Sequence, residues 1–244
     1  MKTALIDGDF LLFVCTHKKL GSPDLTLESV QNSADAFIEE ILNRVEATHY
    51  LGFLTASPTF RKVEYPEYKK SRTSKPLPEF FLPLRNYLKE HWAFNEVPLY
   101  EADDLVNIYY NHFKGPEETI IVSPDKDILN LHGVHYNPLK KEIKITSLED
   151  AEEFFWRSMI KGDSTDGIIG IHGRGDKYVN KVFATDLRRV YGPPLAVLMS
   201  YLEAYPEPKA IKEFYKNYRL LKILEKPLSE DFEFLTPIPL NNDF

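Results

Sequence analysis

The sequence predicts an α/β fold with a mainly parallel central sheet, and two observations support it. Short apolar runs alternate with segments of helical periodicity from the N-terminus to Ser147. Acidic residues directly follow several of these runs, as expected where ligands gather at the carboxyl ends of parallel strands. The 244 residues, 43% of them hydrophobic, suit one large domain or a domain with a small appendage.

The predicted strands are short apolar runs bounded by turn residues. They are "TALID", which ends at Asp7, "YLGFL" (50–54), a short run near Val97, "ETIIV" (118–122), and two runs on either side of Asn137. The predicted helices carry apolar residues at helical spacing. They cover about 33–46, 79–90, a segment starting at 101, and the chain from Ser147 to its end, interrupted by a glycine-rich stretch at 162–175. Residues 58–78 lack periodicity and are basic.

Composition excludes several classes of protein. The single cysteine, Cys15, rules out an internal disulfide framework and suits a reducing compartment. No apolar run reaches 18 residues, and the N-terminus lacks a signal-peptide pattern, so we expect a cytoplasmic protein without a membrane partner. The net charge of −7 argues against a nucleic-acid partner unless acids and bases are gathered in separate places.

Four acidic groups stand out, and three of them follow or lie next to predicted strands. They are "IDGD" (Asp7, Asp9), "EADD" (Glu101, Asp103, Asp104), "SPDKD" (Asp125, Asp127) and "KGDSTD" (Asp163, Asp166). Each alone is explained by turn or helix-cap chemistry. Together they form an all-oxygen ligand set, which selects Mg²⁺ or Mn²⁺ over zinc. This many carboxylates exceeds what one ion needs, and two-metal carboxylate sites are typical of phosphodiester hydrolysis.

Two segments combine basic residues with features that suit nucleic acid. The first, "TFRKVEYPEYKKSRTSKP" (59–76), interleaves aromatic and basic side chains, although a solvated basic loop is the alternative. Its basic residues are Arg61, Lys62, Lys69, Lys70, Arg72 and Lys75. The second, "KGDSTDGIIGIHGRGDKYVNK" (161–181), has glycines ahead of a helix expected near Asp176. Glycines and a helix N-terminus let the backbone approach phosphate, although a plain helix connection is the alternative.

Five segments in order resemble the structure-specific five-prime nuclease superfamily, which includes flap endonucleases and phage-type 5'-3' exonucleases. They are "LIDGDFLLF", "FRKVEYPEYKKSR", "EADDLV", "SPDKDILNL" and "KGDSTDGIIGIHGRGDK", from residue 5 to about 181. The resemblance implies a PIN-like core at 1–155 that includes a basic, short helical arch at 58–92. It also implies a helix–three-turn–helix element with C-terminal helices at 156–225. We expect the remaining tail, 226–244, to lie along the surface as a strap.

The resemblance also implies a role for each matching residue. The first metal would be surrounded by Asp7, Glu101, Asp103 and Asp104, and a second, looser metal by Asp125, Asp127, Asp163 and Asp166. The scissile phosphate would be engaged by Lys69 and Arg72. DNA would be contacted by Arg61, Lys62, Lys70, Gly170, Gly173, Arg174, Gly175 and Lys177. In the family the hairpin often binds the duplex through K⁺. Direct ligation by Asp9 stays open.

The sequence therefore predicts a monomeric nuclease that uses two Mg²⁺, or Mn²⁺ in their place, during phage replication or repair. Its substrate would be double-stranded DNA with a five-prime end, gap or flap, or RNA in an RNA–DNA hybrid. Alignment on "FRK" puts Ala56 where the family has an aspartate near the first metal. A catalytically weakened, structure-selective DNA-binding homologue is therefore the alternative. The hairpin argues against a toxin-type ribonuclease, and the basic segment and hairpin together argue against an α/β phosphatase.

Overall fold

The computed structural model describes residues 2–17, 24–71, 76–113 and 118–240. Arg72, Lys75 and the last four residues of the tail lie outside these ranges. None of the helices within them combines the length and apolar character that a membrane span requires.

A mostly parallel sheet forms the centre of the molecule, in the order β5-β4-β3-β1-β2-β8. Its strands are β1 (Thr3–Asp7), β2 (His49–Phe53), β3 (Thr119–Val122), β4 (Gly133–Asn137), β5 (Glu142–Thr146) and β8 (Ile238–Pro239). The four central strands are parallel, and the two edge strands β5 and β8 run antiparallel to their neighbours. The predicted fold class is confirmed, and so are the predicted strands at 3–7, 50–54, 118–122 and around Asn137.

Helices cover the sheet and extend beyond it. They are α1 (Asp9–Val14), α2 (Leu27–Arg44), α3 (Phe60–Glu64), α4 (Phe81–His91), α5 (Ala102–His112), α6 (Leu148–Lys161), α7 (Asp176–Phe183), α8 (Asp186–Ala204) and α9 (Glu207–Leu221). A 3₁₀ helix covers Lys126–Asn130. Local sequence sets several starts: Thr26 and Ser29 form a capping box for α2, and Ser147 caps α6 through the Asp150 N–H.

Side chains of the central strands are buried on both faces of the sheet. In β1, Ala4 and Ile6 pack in the same cluster as α2, whereas Leu5 packs with α5 on the opposite face. This alternation follows from the two-residue period of a strand. Burial on both sides explains why the strands read as nearly continuous apolar runs. Functional groups of this sheet are therefore confined to its edges and strand ends.

The last four helices share a separate apolar cluster. A tight hairpin lies between the first two of these helices. The hairpin pairs β6 (Gly162–Asp163) with β7 (Ile168–Ile169). Gly162 has φ +74°, and a Cβ there would lie 2.3 Å from the Gly170 nitrogen, so two glycine backbones pack directly together. The Lys69 N–H donates to the Asp166 carbonyl at 2.9 Å, which joins this hairpin to the basic segment.

Two predicted elements are wrong. Residues around Val97 form no strand, only isolated bridges of Asn95 to Phe53 and of Leu99 to Thr59. Leu99 has φ +75°, a left-handed conformation that interrupts an extended run.

Residues 223–240 are not helical either. Phe232 and Phe234 pack around the Tyr109 ring, and the Leu235 N–H donates to the Tyr109 hydroxyl at 2.9 Å. The tail then adds β8 to the sheet. Its prolines at 237 and 239 and its aromatic residues suit an extended strap better than a helix.

Candidate active site

Acidic side chains from four parts of the chain line two cavities beside the carboxyl ends of the parallel strands. The larger has a volume of about 560 Å³ and is lined by the acids Asp7, Asp9, Glu101, Asp103 and Asp125. The smaller, of about 50 Å³, is lined by the acids Asp103, Asp125, Asp127, Asp163 and Asp166. Asp103, Asp125 and Lys69 line both. The predicted metal ligands therefore come together as two groups that share members, with Asp104 lining neither cavity.

The N-terminus of α5 carries the tightest acidic cluster. Ligand oxygens of Glu101, Asp103 and Asp104 lie within 4.8 Å of one another. Glu101 and Asp104 also form the capping box of the helix. Acids here are favoured by the unpaired N–H groups and the helix dipole, which partly offset their mutual repulsion.

Arg61 is part of the protein interior, so the prediction that it contacts DNA is wrong. Its side chain is 2% exposed, with Nη1 at 2.7 Å from Glu101 Oε2 and 2.6 Å from Asp104 Oδ2. Nη2 donates to Asp104 Oδ1 at 2.8 Å, and the remaining donors bond to the carbonyls of Leu220 and Lys222. A guanidinium with all these donors engaged has none left for phosphate.

Asp104 is held by the same network. Besides the two bonds from Arg61, its Oδ1 accepts the Leu224 N–H at 2.9 Å, and its side chain is fully buried. Direct ligation of a metal by Asp104 would require one of these bonds to break. The contacts therefore favour Asp104 as a group that orients Arg61 and Glu101, and its ligand role stays a prediction.

Lys69 reaches the acids from the basic segment. Its Nζ lies 2.5 Å from Glu101 Oε1 and 3.7 Å from Asp166 Oδ2. The Tyr68 hydroxyl donates to Glu101 Oε2 at 3.0 Å, and the Tyr68 ring is buried, so this aromatic residue of the basic segment cannot stack on a base. Burial opposes ionisation of Glu101, but Lys69 and Arg61 outweigh it and lower its pKa.

For Asp7 and Asp103 burial and the neighbouring acids outweigh the groups that favour ionisation. Burial raises the pKa of Asp7 to about 7, with the negative charge of Asp9 adding to the effect. Burial, together with Asp104 and Glu101, raises the pKa of Asp103 well above its usual range. The Ser123 hydroxyl donates to Asp7 Oδ2 at 2.9 Å without reversing this. Among the described residues no lysine or arginine bonds to either carboxylate, and a hard divalent cation held by the acids of this cavity would supply the missing charge.

The second group of acids contains a lysine. Lys126 Nζ lies 2.8 Å from Asp127 Oδ1 and 3.1 Å from Asp163 Oδ2. Burial opposes ionisation of Asp163, but Lys126 and the Thr165 N–H lower its pKa. The pKa of Asp127 is raised by burial. The Asp127 N–H donates to Asp125 Oδ1 at 2.9 Å, which fixes these two acids relative to each other.

Thr55, not Ala56, faces the larger cavity after β2, so the predicted placement of Ala56 beside the first metal is wrong. Ala56 is 5% exposed, lines neither cavity, and donates its N–H to the Tyr100 carbonyl. The Thr55 N–H donates to Asp9 Oδ1 at 3.0 Å, and its hydroxyl accepts the Ala102 N–H at 2.9 Å. The short loop from Phe53 to Thr59 turns Ala56 inward, which an alignment anchored on "FRK" does not reveal.

The sequence missed Thr55, Ser123 and Lys126 as members of the site. Ser123 directly follows β3 and Thr55 lies two residues beyond β2. The rule that selected Asp7, a polar residue just past a parallel strand, also applies to both. Lys126 lies inside the "SPDKD" motif, where only the acidic residues fit the predicted ligand set.

The predicted DNA-contacting residues of the basic segment differ in exposure. Lys62 donates to the carbonyls of Pro66 and Tyr68, so it holds its own loop together. Lys70 is exposed, at 66%, and pairs with Glu67. Its position leaves it accessible to a phosphate, unlike Arg61.

The glycine-rich segment divides in the same way. Gly170 is buried, and a Cβ there would lie 2.2 Å from the Ile160 carbonyl oxygen, so its predicted contact with DNA is wrong and its role is close packing. Gly173 and Gly175 are exposed with nothing within 4 Å of such a Cβ. Lys177 is exposed, and Arg174 lies over the Tyr178 ring at 4.1 Å. A phosphate can approach the backbone at 173–175 but not at 170.

Comparisons with known proteins identify the family of the chain. Residues 2–156 match the family described as 5'-3' exonuclease, N-terminal resolvase-like domain. The chain is 34% identical over 143 residues to the flap endonuclease Xni of Shewanella sp. (strain W3-18-1), covering 52% of this chain and 53% of that protein. It is 25% identical over 262 residues to a 5'-3' exonuclease of Mycoplasma genitalium, covering 97% and 85%.

Longer proteins match over part of their length. DNA polymerase I of Caldicellulosiruptor bescii is 27% identical over 223 residues, which cover 78% of this chain but only 25% of the polymerase. The structure of the bacteriophage T5 D15 protein, co-crystallised with metal ions, superposes with a TM-score of 0.67 at 20% identity, covering 92% and 89% of the two chains. The T5 5'-exonuclease with bound zinc gives 0.62 at 22% identity, covering 90% and 86%. These superpositions show a shared fold.

Proposed function

Because this chain belongs to the 5'-3' exonuclease family, we propose that it is a divalent-metal-dependent nuclease that hydrolyses DNA at or near five-prime ends, including flaps. The observation that carries the proposal is the pair of adjoining acidic cavities with shared walls. Asp103, Asp125 and Lys69 line both cavities, which supports a site where two ions would be held side by side. The chain matches a quarter or less of the length of the DNA polymerase I relatives, so the proposal does not extend to the remainder of those polymerases.

Two Mg²⁺, or two Mn²⁺, would be held by these groups. Asp7, Glu101 and Asp103 would hold the first, and Asp125, Asp127, Asp163 and Asp166 the second. When bound, such ions lower the pKa of water and stabilise negative charge on a phosphate. The chain itself would contribute the Lys69 ammonium, whose pKa is raised because its ion pair with Glu101 outweighs burial. A lysine that stays charged beside the cavity can neutralise the scissile phosphate.

The DNA duplex would lie against the exposed part of the glycine-rich segment. Gly173 and Gly175 leave open backbone, and Lys177 follows at the start of α7. Phosphates bound there would be held without reading of sequence, either directly or through a K⁺ at the hairpin. Such binding would accept a DNA duplex with a five-prime end, gap or flap, and an RNA–DNA hybrid as well. A monomer suffices, since every group named comes from one chain.

The proposed activity is tested with a five-prime-labelled flap duplex incubated with Mg²⁺, with Mn²⁺ and with EDTA. We expect short labelled products with either metal and none with EDTA. Metal-dependent binding without cleavage would favour the DNA-binding alternative instead. The DNA-binding alternative depends on Ala56, and the Ala56 side chain lines neither cavity.

Lys69→Met is expected to slow cleavage about 10²–10³-fold in single-turnover experiments with saturating Mg²⁺, because it removes the positive charge beside the phosphate. Lys2→Met is the matched control. Lys2 is exposed and precedes β1, whereas Asp7 lies at the other end of that strand. We expect Lys2→Met to cleave at the wild-type rate. Equal rates for Lys69→Met and the wild type would remove Lys69 from the catalytic machinery.

A further inference from the structure

Lys126 joins two acids that belong to different elements. Asp127 lies in the 3₁₀ helix after β3, and Asp163 lies in the β6–β7 hairpin 36 residues later in the chain. Lys126 Nζ is within 3.1 Å of an oxygen from each. Thirty-seven residues separate the lysine from Asp163, so this contact depends on the fold and not on local sequence.

Both acids line the small cavity with Asp125 and Asp166, whereas Lys126 does not line it. The ammonium therefore contacts their carboxylates from outside the cavity. A divalent ion held by the same two carboxylates would lie close to the Lys126 ammonium and would share their negative charge with it. Two cations close to shared oxygens also repel each other, so each weakens the binding of the other.

The two acidic groups differ in this respect. Asp7 and Asp103, in the larger cavity, have no lysine or arginine bonded to them in the described part of the chain. Asp127 and Asp163 are already bridged by a positive charge. In the first group the bonded cations contact Glu101 and leave Asp7 and Asp103 without one, whereas in the second group a single lysine bridges two carboxylates.

We propose that Lys126 stands in for the second metal ion when that site is empty of metal and competes with the ion for Asp127 and Asp163. This inference rests on the proposed metal-dependent function and deepens it. The second ion then binds more weakly than it would without Lys126, because an internal cation repels it and shares its carboxylates. The Lys126 side chain is 64% exposed and also lines the larger cavity, so it has room to move away from a bound ion.

The inference is tested by titrating the protein with Mn²⁺, without DNA, and measuring free Mn²⁺ by its electron paramagnetic resonance signal. We expect one tighter and one weaker class of site in the wild type. In Lys126→Met the weaker class should tighten about three- to tenfold, because a competing and repelling charge has been removed. Lys126→Arg keeps the charge and should resemble the wild type. Lys2→Met changes the net charge equally and should also resemble it.

The outcomes separate this inference from the proposed function. Equal weak-class affinities in the wild type and Lys126→Met would overturn the inference while leaving metal binding intact. Equal tightening in Lys126→Met and Lys2→Met would also overturn it, because net charge alone would then be responsible. Failure of every protein to bind Mn²⁺ would overturn the proposed function itself.

Discussion

Arg61→Met is expected to lower the free energy of unfolding by about 3–5 kcal/mol, the usual cost of breaking a buried ion pair by removing one partner. The arginine contacts Glu101 and Asp104, and both acids are almost completely buried. Methionine would fill part of the space but leave the buried Asp104 carboxylate without its cation and Glu101 with Lys69 alone. Loss of the arginine would also remove the hydrogen bonds that it donates to the carbonyls of Leu220 and Lys222 at the end of α9. Urea denaturation in EDTA measures the effect.

Two further variants locate the cause. Arg219→Met removes an arginine whose pair with Glu64 is more than a third exposed on both sides, so we expect a loss of at most about 1 kcal/mol. Asp104→Asn in the Arg61→Met background should recover part of the lost stability, since the uncompensated charge is the main cost. If Arg61→Met and Arg219→Met destabilise equally, burial of the Arg61 network is not what makes it important.

Convergence of the acids could be predicted from sequence because it follows from strand direction. Asp7 ends a strand and Asp125 follows another, and the carboxyl ends of parallel strands meet at one edge. The strand predicted near Val97 does not form, yet the acids that follow this segment still lie at the same edge of the sheet. Asn95 bridges to Phe53 at the end of β2, so the loop guides α5 to the same edge without forming a strand.

The direction of individual side chains could not be predicted in the same way. Arg61 and Lys69 belong to one basic segment, and nothing in its composition distinguishes the buried arginine from the lysine at the cavity. The difference arises because α3 packs against α5 and the end of α9, which are distant in sequence. Gly170 and Gly173 likewise look equivalent, but only Gly170 meets the backbone of another segment. Such contacts are set by tertiary packing, which single-sequence patterns do not contain.

Asp7→Asn is expected to stabilise the protein in EDTA at pH 8 by about 1–3 kcal/mol. Burial and Asp9 raise the pKa of Asp7 from 3.8 to about 7, so the folded protein holds this proton more tightly than the unfolded chain. Between about pH 4 and pH 7 the folded state therefore binds more protons, and stability falls as pH rises. The variant lacks this penalty, while its amide oxygen can still accept from Ser123. Its advantage should nearly vanish at pH 4, which thermal unfolding at both pH values would show.

The same substitution should slow cleavage of the flap duplex in Mg²⁺ by at least about a hundredfold, because it removes a predicted ligand of the first metal. Mg²⁺ should raise the midpoint of thermal unfolding of the wild type more than that of the variant, since an ion bound only to the folded state stabilises it. If Asp7→Asn is more stable than the wild type without metal but less active, the repulsion among these acids lowers stability, and the acids serve to bind the metal. If Asp7→Asn were instead less stable in EDTA at pH 8, Asp7 would be a structural residue, and the first-metal assignment would lose its main support.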